Sequence, residues 1–154
     1  MPNSSSAPSS TGNVANTTSR GTVLIADDDP EILTLLSIRL TKRGYTVLEA
    51  ADGLQTLQVA RARHPDLVLL DVMMPGKNGW EVARELRGDP SLADIGIVML
   101  TAIGEKVNEM TSPLYGADDY IDKPFNFEDL EKKIARVIEG RRSGRSEPES
   151  PRRR

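Results

Sequence analysis

The sequence predicts an α/β fold in which a parallel five-stranded sheet is covered by helices on both faces. Short apolar runs recur along the chain, each bounded by turn residues, as strands buried on both faces require. Between them lie segments with apolar residues at helical spacing, so the order is strand then helix, five times over. Several of the runs end on an acid or a hydroxyl, at the carboxyl edge where open α/β sheets place their ligand sites.

The most informative stretch is Leu67 to Glu81, LVLLDVMMPGKNGWE. Its apolar run Leu67 to Leu70 reads as a buried strand and stops abruptly at Asp71. A turn with Pro75, Gly76, Asn78 and Gly79 follows, then a helix from Trp80 to Arg87 that ends at Gly88-Asp89-Pro90. Alone, Asp71 would be read as a turn cap.

The first strand is Thr22 to Ala26, and it too ends in carboxylates, Asp27, Asp28 and Asp29, before Pro30. Asp29 and Pro30 form a good helix start, since Asp accepts from the first free N–H groups and Pro suits the first helical position. That helix runs to about Arg43, with Ile32, Leu35, Leu36 and Leu40 as its buried stripe. Asp27 and Asp28 have no such explanation. Adjacent carboxylates at a strand end repel one another, and a divalent cation with oxygen ligands such as Mg²⁺ would relieve them.

The second strand is Tyr45 to Glu49, followed by an Asp52-Gly53 turn and a helix from Leu54 to Arg63. His64, the single histidine, is expected to be a solvated loop residue, with no second histidine to make a metal or phospho-carrier pair. The fourth strand, Ile95 to Leu100, leads to Thr101. The helix expected at about Glu105 to Tyr115 is interrupted by Pro113, which removes a backbone bond. The fifth strand, Asp118 to Ile121, leads to Asp122-Lys123-Pro124-Phe125, and the last helix is expected from about Phe127 to Glu139.

Composition bounds the rest. Of 154 residues, 1–20 and 141–154 read as disordered tails, the second of them basic, which leaves a domain at 21–140. The tails hold seven of the 20 basic and two of the 23 acidic residues, leaving 13 and 21, a net of −8. An acidic domain argues against direct nucleic-acid binding by this core. There is no cysteine, so thiolate metal sites and disulfides are excluded. No apolar run has membrane-spanning length and no signal peptide is visible, so a cytoplasmic protein is expected.

The ordered set LIADDDP, LVLLDVMMPGKNGWE, VMLTA and GADDYIDKPF resembles the receiver domain of two-component response regulators, over about residues 22 to 139. The resemblance implies a doubly wound, flavodoxin-like (βα)5 fold with strand order 2-1-3-4-5. It implies Asp71 as phosphoacceptor from a histidine kinase or phosphotransfer protein. It makes Asp27 and Asp28 the acidic pair for Mg²⁺, with Asp28 favoured as direct ligand and the Met73 carbonyl as another. It implies Thr101 as the switch hydroxyl, Lys123 as a partner of the phosphoryl group, a cis Lys123-Pro124 bond, and Tyr120 as the switch aromatic. The face made by the fourth helix, fifth strand and fifth helix would carry the signal.

Each of these residues has a plainer reading: a strand-end hydroxyl for Thr101, a surface lysine for Lys123, a half-buried strand aromatic for Tyr120. Their joint placement at strand ends favours the chemical reading. An Asp-nucleophile phosphatase is the competing enzyme class, but Asp27-Asp28-Asp29-Pro30-Glu31 lacks the Thr or Val such enzymes carry after their paired acids. A receiver-like module that binds partners without phosphorylation is disfavoured because every expected phosphorylation residue is present. No output domain is visible, so the expectation is a single-domain regulator acting through protein contact, or else the regulatory piece of a longer one. The apolar Met73 and Ile103, each two residues beyond a site residue, predict slow hydrolysis of the phosphorylated form.

Overall fold

The structure is a computed structural model that describes residues 19–101 and 116–146. Five strands are found among them: β1 (Thr22–Ala26), β2 (Thr46–Ala50), β3 (Leu67–Asp71), β4 (Gly96–Thr101) and β5 (Asp119–Asp122). Four helices cover them: α1 (Pro30–Lys42), α2 (Gly53–Arg63), α3 (Gly79–Gly88) and α4 (Phe127–Ser146). The sheet is parallel throughout, in the order β2-β1-β3-β4-β5. The expected 2-1-3-4-5 topology is therefore present. The helix expected at 105–115 lies outside the described residues, as do Ile103 and Pro113.

The continuous apolar strands are explained by their two faces. Along a strand, alternate side chains point to opposite sides. Leu24, Val68, Leu70, Ile97 and Met99 pack with Leu57, Val82 and Leu86 of α2 and α3. Val23, Ile25, Leu67, Leu69, Val98 and Leu100 pack on the other side with Leu36, Leu40, Leu130 and Ile134 of α1 and α4. Neither face meets water, so neither carries the polar alternation of a half-exposed strand.

Local chemistry fixes the helix starts. The Asp29 carboxylate accepts the Glu31 N–H at 2.9 Å, with Pro30 at the first helical position. Asp52 accepts from Gln55 at 2.7 Å. At α3, Asn78 and Glu81 each accept the other's backbone N–H, a reciprocal capping box. His64 is solvated, as expected, but has a further role. It ends α2 in the left-handed conformation, φ 43°, and its Nε2 lies 3.1 Å from both the Ser91 carbonyl and Asp94.

The domain reaches past both of its expected limits. Ser19 and Arg20 are packed on it: the Arg20 N–H donates to the Gly44 carbonyl at 3.0 Å, and its guanidinium stacks 4.8 Å from the Tyr45 ring centroid. The last helix continues to Ser146 instead of stopping near Glu139. Long-range ion pairs of Arg141 and Arg142 hold those extra turns, and they carry no local signature in the sequence. Among the described residues, no helix is long and apolar enough to cross a membrane.

Leu69 sits fully buried in the central strand β3. Leu69→Ala is expected to cost about 2–5 kcal/mol, read as a lowered urea midpoint with unchanged slope.

Candidate functional site

Neighbouring strands bring the acids together. Ala26 of β1 pairs with Leu70 of β3, so the next residues, Asp27 and Asp71, emerge side by side at the carboxyl edge. Asp27 and Asp71 are buried, while Asp28 is exposed. One carboxylate oxygen from each of Asp27, Asp28 and Asp71 lies within 4.8 Å of the others.

Lys123 enters from the end of β5. Its Nζ lies 3.1 Å from Asp27 Oδ2 and 3.4 Å from Asp71 Oδ1. Its backbone N–H donates to the Thr101 carbonyl at 2.7 Å, which ties the β5 exit to the end of β4. The Lys123-Pro124 bond is cis, as expected. Asp27 is held from two sides, because its other oxygen accepts the Asp29 N–H at 2.9 Å.

This crowding sets the electrostatics. Burial pushes the Asp71 carboxyl up to about 6, and the Asp27 charge pushes the same way. Attraction and a hydrogen bond from Lys123, and the Met73 N–H, oppose them. For Lys123, burial acts to lower its proton affinity, but the hydrogen bond to Asp27 and the charges of Asp71 and Asp27 outweigh it and hold it above the usual lysine range. Three carboxylates against one ammonium leave an excess of negative charge made of hard oxygen donors. That donor set fits a divalent cation of the Mg²⁺ or Ca²⁺ type and offers nothing to a soft metal.

Other residues take positions around this centre. Thr101 ends β4 and is buried, one strand over from Asp71. Tyr120 in β5 is half-buried against the cluster on the α2–α3 side. Met73 projects from the loop after β3 with 64% of its surface exposed. His64 lies outside the cluster.

Sequence reading missed the close packing behind the site. A Cβ on Gly79 would fall 2.4 Å from the Asp71 carbonyl and 2.8 Å from Val72 Cα. The Gly79 N–H donates to the Val72 carbonyl at 2.8 Å, so α3 begins directly on the loop that leaves Asp71. A Cβ on Gly53 would likewise meet the Lys77 carbonyl at 2.5 Å, where α2 begins against the same loop. The available signal was a glycine at the first position of each helix, where a better helix former would serve unless space were short.

The family model for the response regulator receiver domain matches residues 23–135, the span that builds this site. The chain belongs to the response regulator receiver family. The phosphate regulon transcriptional regulatory protein PhoB of Pseudomonas aeruginosa is 43% identical over 130 residues, 84% of this chain and 56% of that protein. The DNA-binding dual master transcriptional regulator RpaA of Synechocystis is 44% identical over 115 residues, 75% of this chain and 46% of that protein. This receiver therefore spans about half the length of the curated relatives it matches. A solved structure of a putative response regulator from Chloroflexus aurantiacus superposes with TM-score 0.74 at 33% identity, covering 77% of this chain and 98% of that one. Both relatives are named as transcriptional regulators.

The raised Asp71 carboxyl has a measurable consequence. The folded state holds that proton up to pH about 6, whereas the unfolded chain releases it near the ordinary carboxylate value of 3.8. Stability linked to Asp71 is therefore full below pH 4 and is lost as pH rises through about 6. Asp71→Asn has no charge to bury, so in chelator it is expected to exceed the wild type at pH 7.5 by up to about 3 kcal/mol. The gain should vanish below pH 4, and urea denaturation at the two pH values measures it.

Proposed function

We propose that this receiver accepts a phosphoryl group on Asp71 from the phosphohistidine of a histidine kinase or phosphotransfer protein, in the presence of Mg²⁺. The observation that carries this reading is the nearly buried Asp71 carboxylate, 3.4 Å from the Lys123 ammonium and inside the acidic cluster. In the transfer, an Asp71 oxygen attacks phosphorus, the phosphorus–nitrogen bond to the donor imidazole breaks, and an acyl phosphate forms. Phosphoryl transfer needs mainly positioning and charge neutralisation. Lys123 supplies a cation for the phosphoryl oxygens, and Thr101 a hydroxyl to hydrogen-bond them. Asp27 and Asp28, with the Asp71 carboxylate and the Met73 carbonyl, would hold the ion. Bound Mg²⁺ would offset charge on the transferred group.

Signalling then follows from where those contacts begin. Thr101 ends β4 and Lys123 ends β5, so contacts made by a phosphoryl group are felt on the face of β5, α4 and the segment before β5. Tyr120 lies on that strand and serves as its aromatic reporter. The output we propose is protein contact through this face.

Incubation with acetyl phosphate and Mg²⁺ should place one phosphoryl group on the wild-type protein and none on Asp71→Asn. Labelling of Asp71→Asn at the wild-type rate would refute the assignment. Asp28→Ala should bind Mg²⁺ more weakly, and undiminished affinity would make the acidic cluster structural only.

The phosphorylated state should last many minutes or longer. Hydrolysis requires a water in line behind phosphorus, and Met73, two residues beyond Asp71, is apolar and cannot hydrogen-bond to orient that water. The Met73→Asn, Ile103→Glu double variant should lose its phosphoryl group faster than the wild type. Decay of the wild type within seconds, or no acceleration in the variant, would contradict this.

A further inference from the structure

The last helix does not stop where the family match stops. The match ends at residue 135, whereas α4 continues to Ser146. Those added turns contain Gly140, Ser143 and Gly144, and each glycine costs a helix about 1 kcal/mol relative to alanine. Intrinsic preference would fray the helix near Gly140, so something beyond it holds these turns.

Two adjacent arginines supply the hold. Arg141 lays its guanidinium on Asp118, with Nη2 2.7 Å from Oδ1 and Nε 3.2 Å from Oδ2. Paired bonds of this kind are the stronger form of arginine–carboxylate contact. Asp118 Oδ2 also accepts from Arg87 Nη2 at 2.9 Å and from the Ile97 N–H at 2.8 Å. Arg87 is anchored in turn to the carbonyls of Gly116, Ala93 and Ile95. Exposed ion pairs contribute little one at a time, and Asp118 lies at the surface, but here one carboxylate joins two arginine side chains that are only 18% and 29% exposed. Arg142 reaches Asp66 at 3.7 Å, and the same Asp66 oxygen accepts the Thr22 N–H at 2.8 Å.

The helix end is thus tied to the starts of β5, β1 and β3, at the edge opposite Asp27, Asp71 and Lys123. β5 has four residues, with Asp118 immediately before it and Lys123 immediately after it. Only the four residues of β5 separate the two charged ends. A phosphoryl group on Asp71 adds up to about two negative charges at the Lys123 end.

We propose that Arg141 and Arg142 latch the final turns of α4 to the strand-start edge, and that phosphorylation of Asp71, by drawing Lys123, shifts β5 and loosens this latch. The direction in which the chain leaves the domain would thereby report the state of a site at the other end of the sheet. The latch stands on its own contacts, whereas the coupling rests on the phosphoacceptor reading above.

Amide hydrogen exchange on the full chain tests both parts. In the unmodified wild type, residues 140–146 should be protected, and in the Arg141→Gln, Arg142→Gln double variant they should exchange roughly tenfold faster or more. Equal exchange in the two, with the variant folded by circular dichroism, would overturn the latch. Should the variant not fold, Arg141→Lys decides, since it keeps the charge but loses the paired contact with Asp118, so the same residues should exchange faster and an unchanged pattern would overturn the latch. After acetyl phosphate and Mg²⁺, with the mass gain confirmed on Asp71, residues 140–146 should exchange faster in the wild type and no faster in the double variant. Unchanged exchange in phosphorylated wild type would overturn the coupling alone. No mass gain would overturn the phosphoacceptor reading and the coupling with it, while the first comparison would still judge the latch.

Discussion

Two buried carboxylates on adjacent strands, Asp27 and Asp71, face one lysine that arrives from the far edge of the sheet. Nearly everything else in the molecule can be understood as the framework that makes this arrangement tolerable. Buried like charges repel and lose their hydration, and one ammonium offsets only part of that. The cost is visible in Asp71, whose carboxyl holds its proton up to pH about 6. Asp27 is steadied by the Asp29 N–H as well as by Lys123. A divalent cation held by Asp27, Asp28 and Asp71 would offset that cost.

Stability for that arrangement comes from the two apolar layers. β3 and β4 are apolar until their last residues and β1 is apolar from Val23 to Ala26, and both of their faces are covered by helices. The polar residues appear where the strands leave the core, so the site sits on a rigid edge while its charge stays near solvent. Gly79 and Gly53 let two helix starts close directly on the loop beyond Asp71. At the opposite edge, Asp118 gathers Arg87, Arg141 and the Ile97 N–H, joining α3, α4, β4 and β5 at one carboxylate. β5 is held at both ends by charge, by Asp118 before it and Lys123 after it.

Some of this could be read from neighbouring residues alone. Five strands, the cap at Asp29, the turns at Asp52-Gly53 and Asn78-Gly79, and the helices described here were legible because each depends on side chains a few positions apart. Boundaries moved by a residue or so, as with β2, expected at Tyr45–Glu49 and found at Thr46–Ala50. The end of the last helix was not legible. Gly140 and the polar residues after it signal a stop, and what overrides that signal is Asp118 and Asp66, far away in the chain. His64 was read correctly as solvated, but its contacts with Ser91 and Asp94 depend on how the loops lie together.

The sequence by itself determined the α/β alternation and the kinds of residue that close each strand, because burial pattern and capping act locally. Resemblance to a family supplied the strand order and the roles expected of Asp71, Lys123 and Thr101. Only the tertiary structure decided which charges meet: register places Asp27 beside Asp71, and β5 at the sheet edge carries Lys123 to both. It also decided how closely Gly79 approaches the Asp71 carbonyl and how far α4 extends. Charge–charge energies and close contacts depend on distance through space, and separation along the chain does not fix that distance.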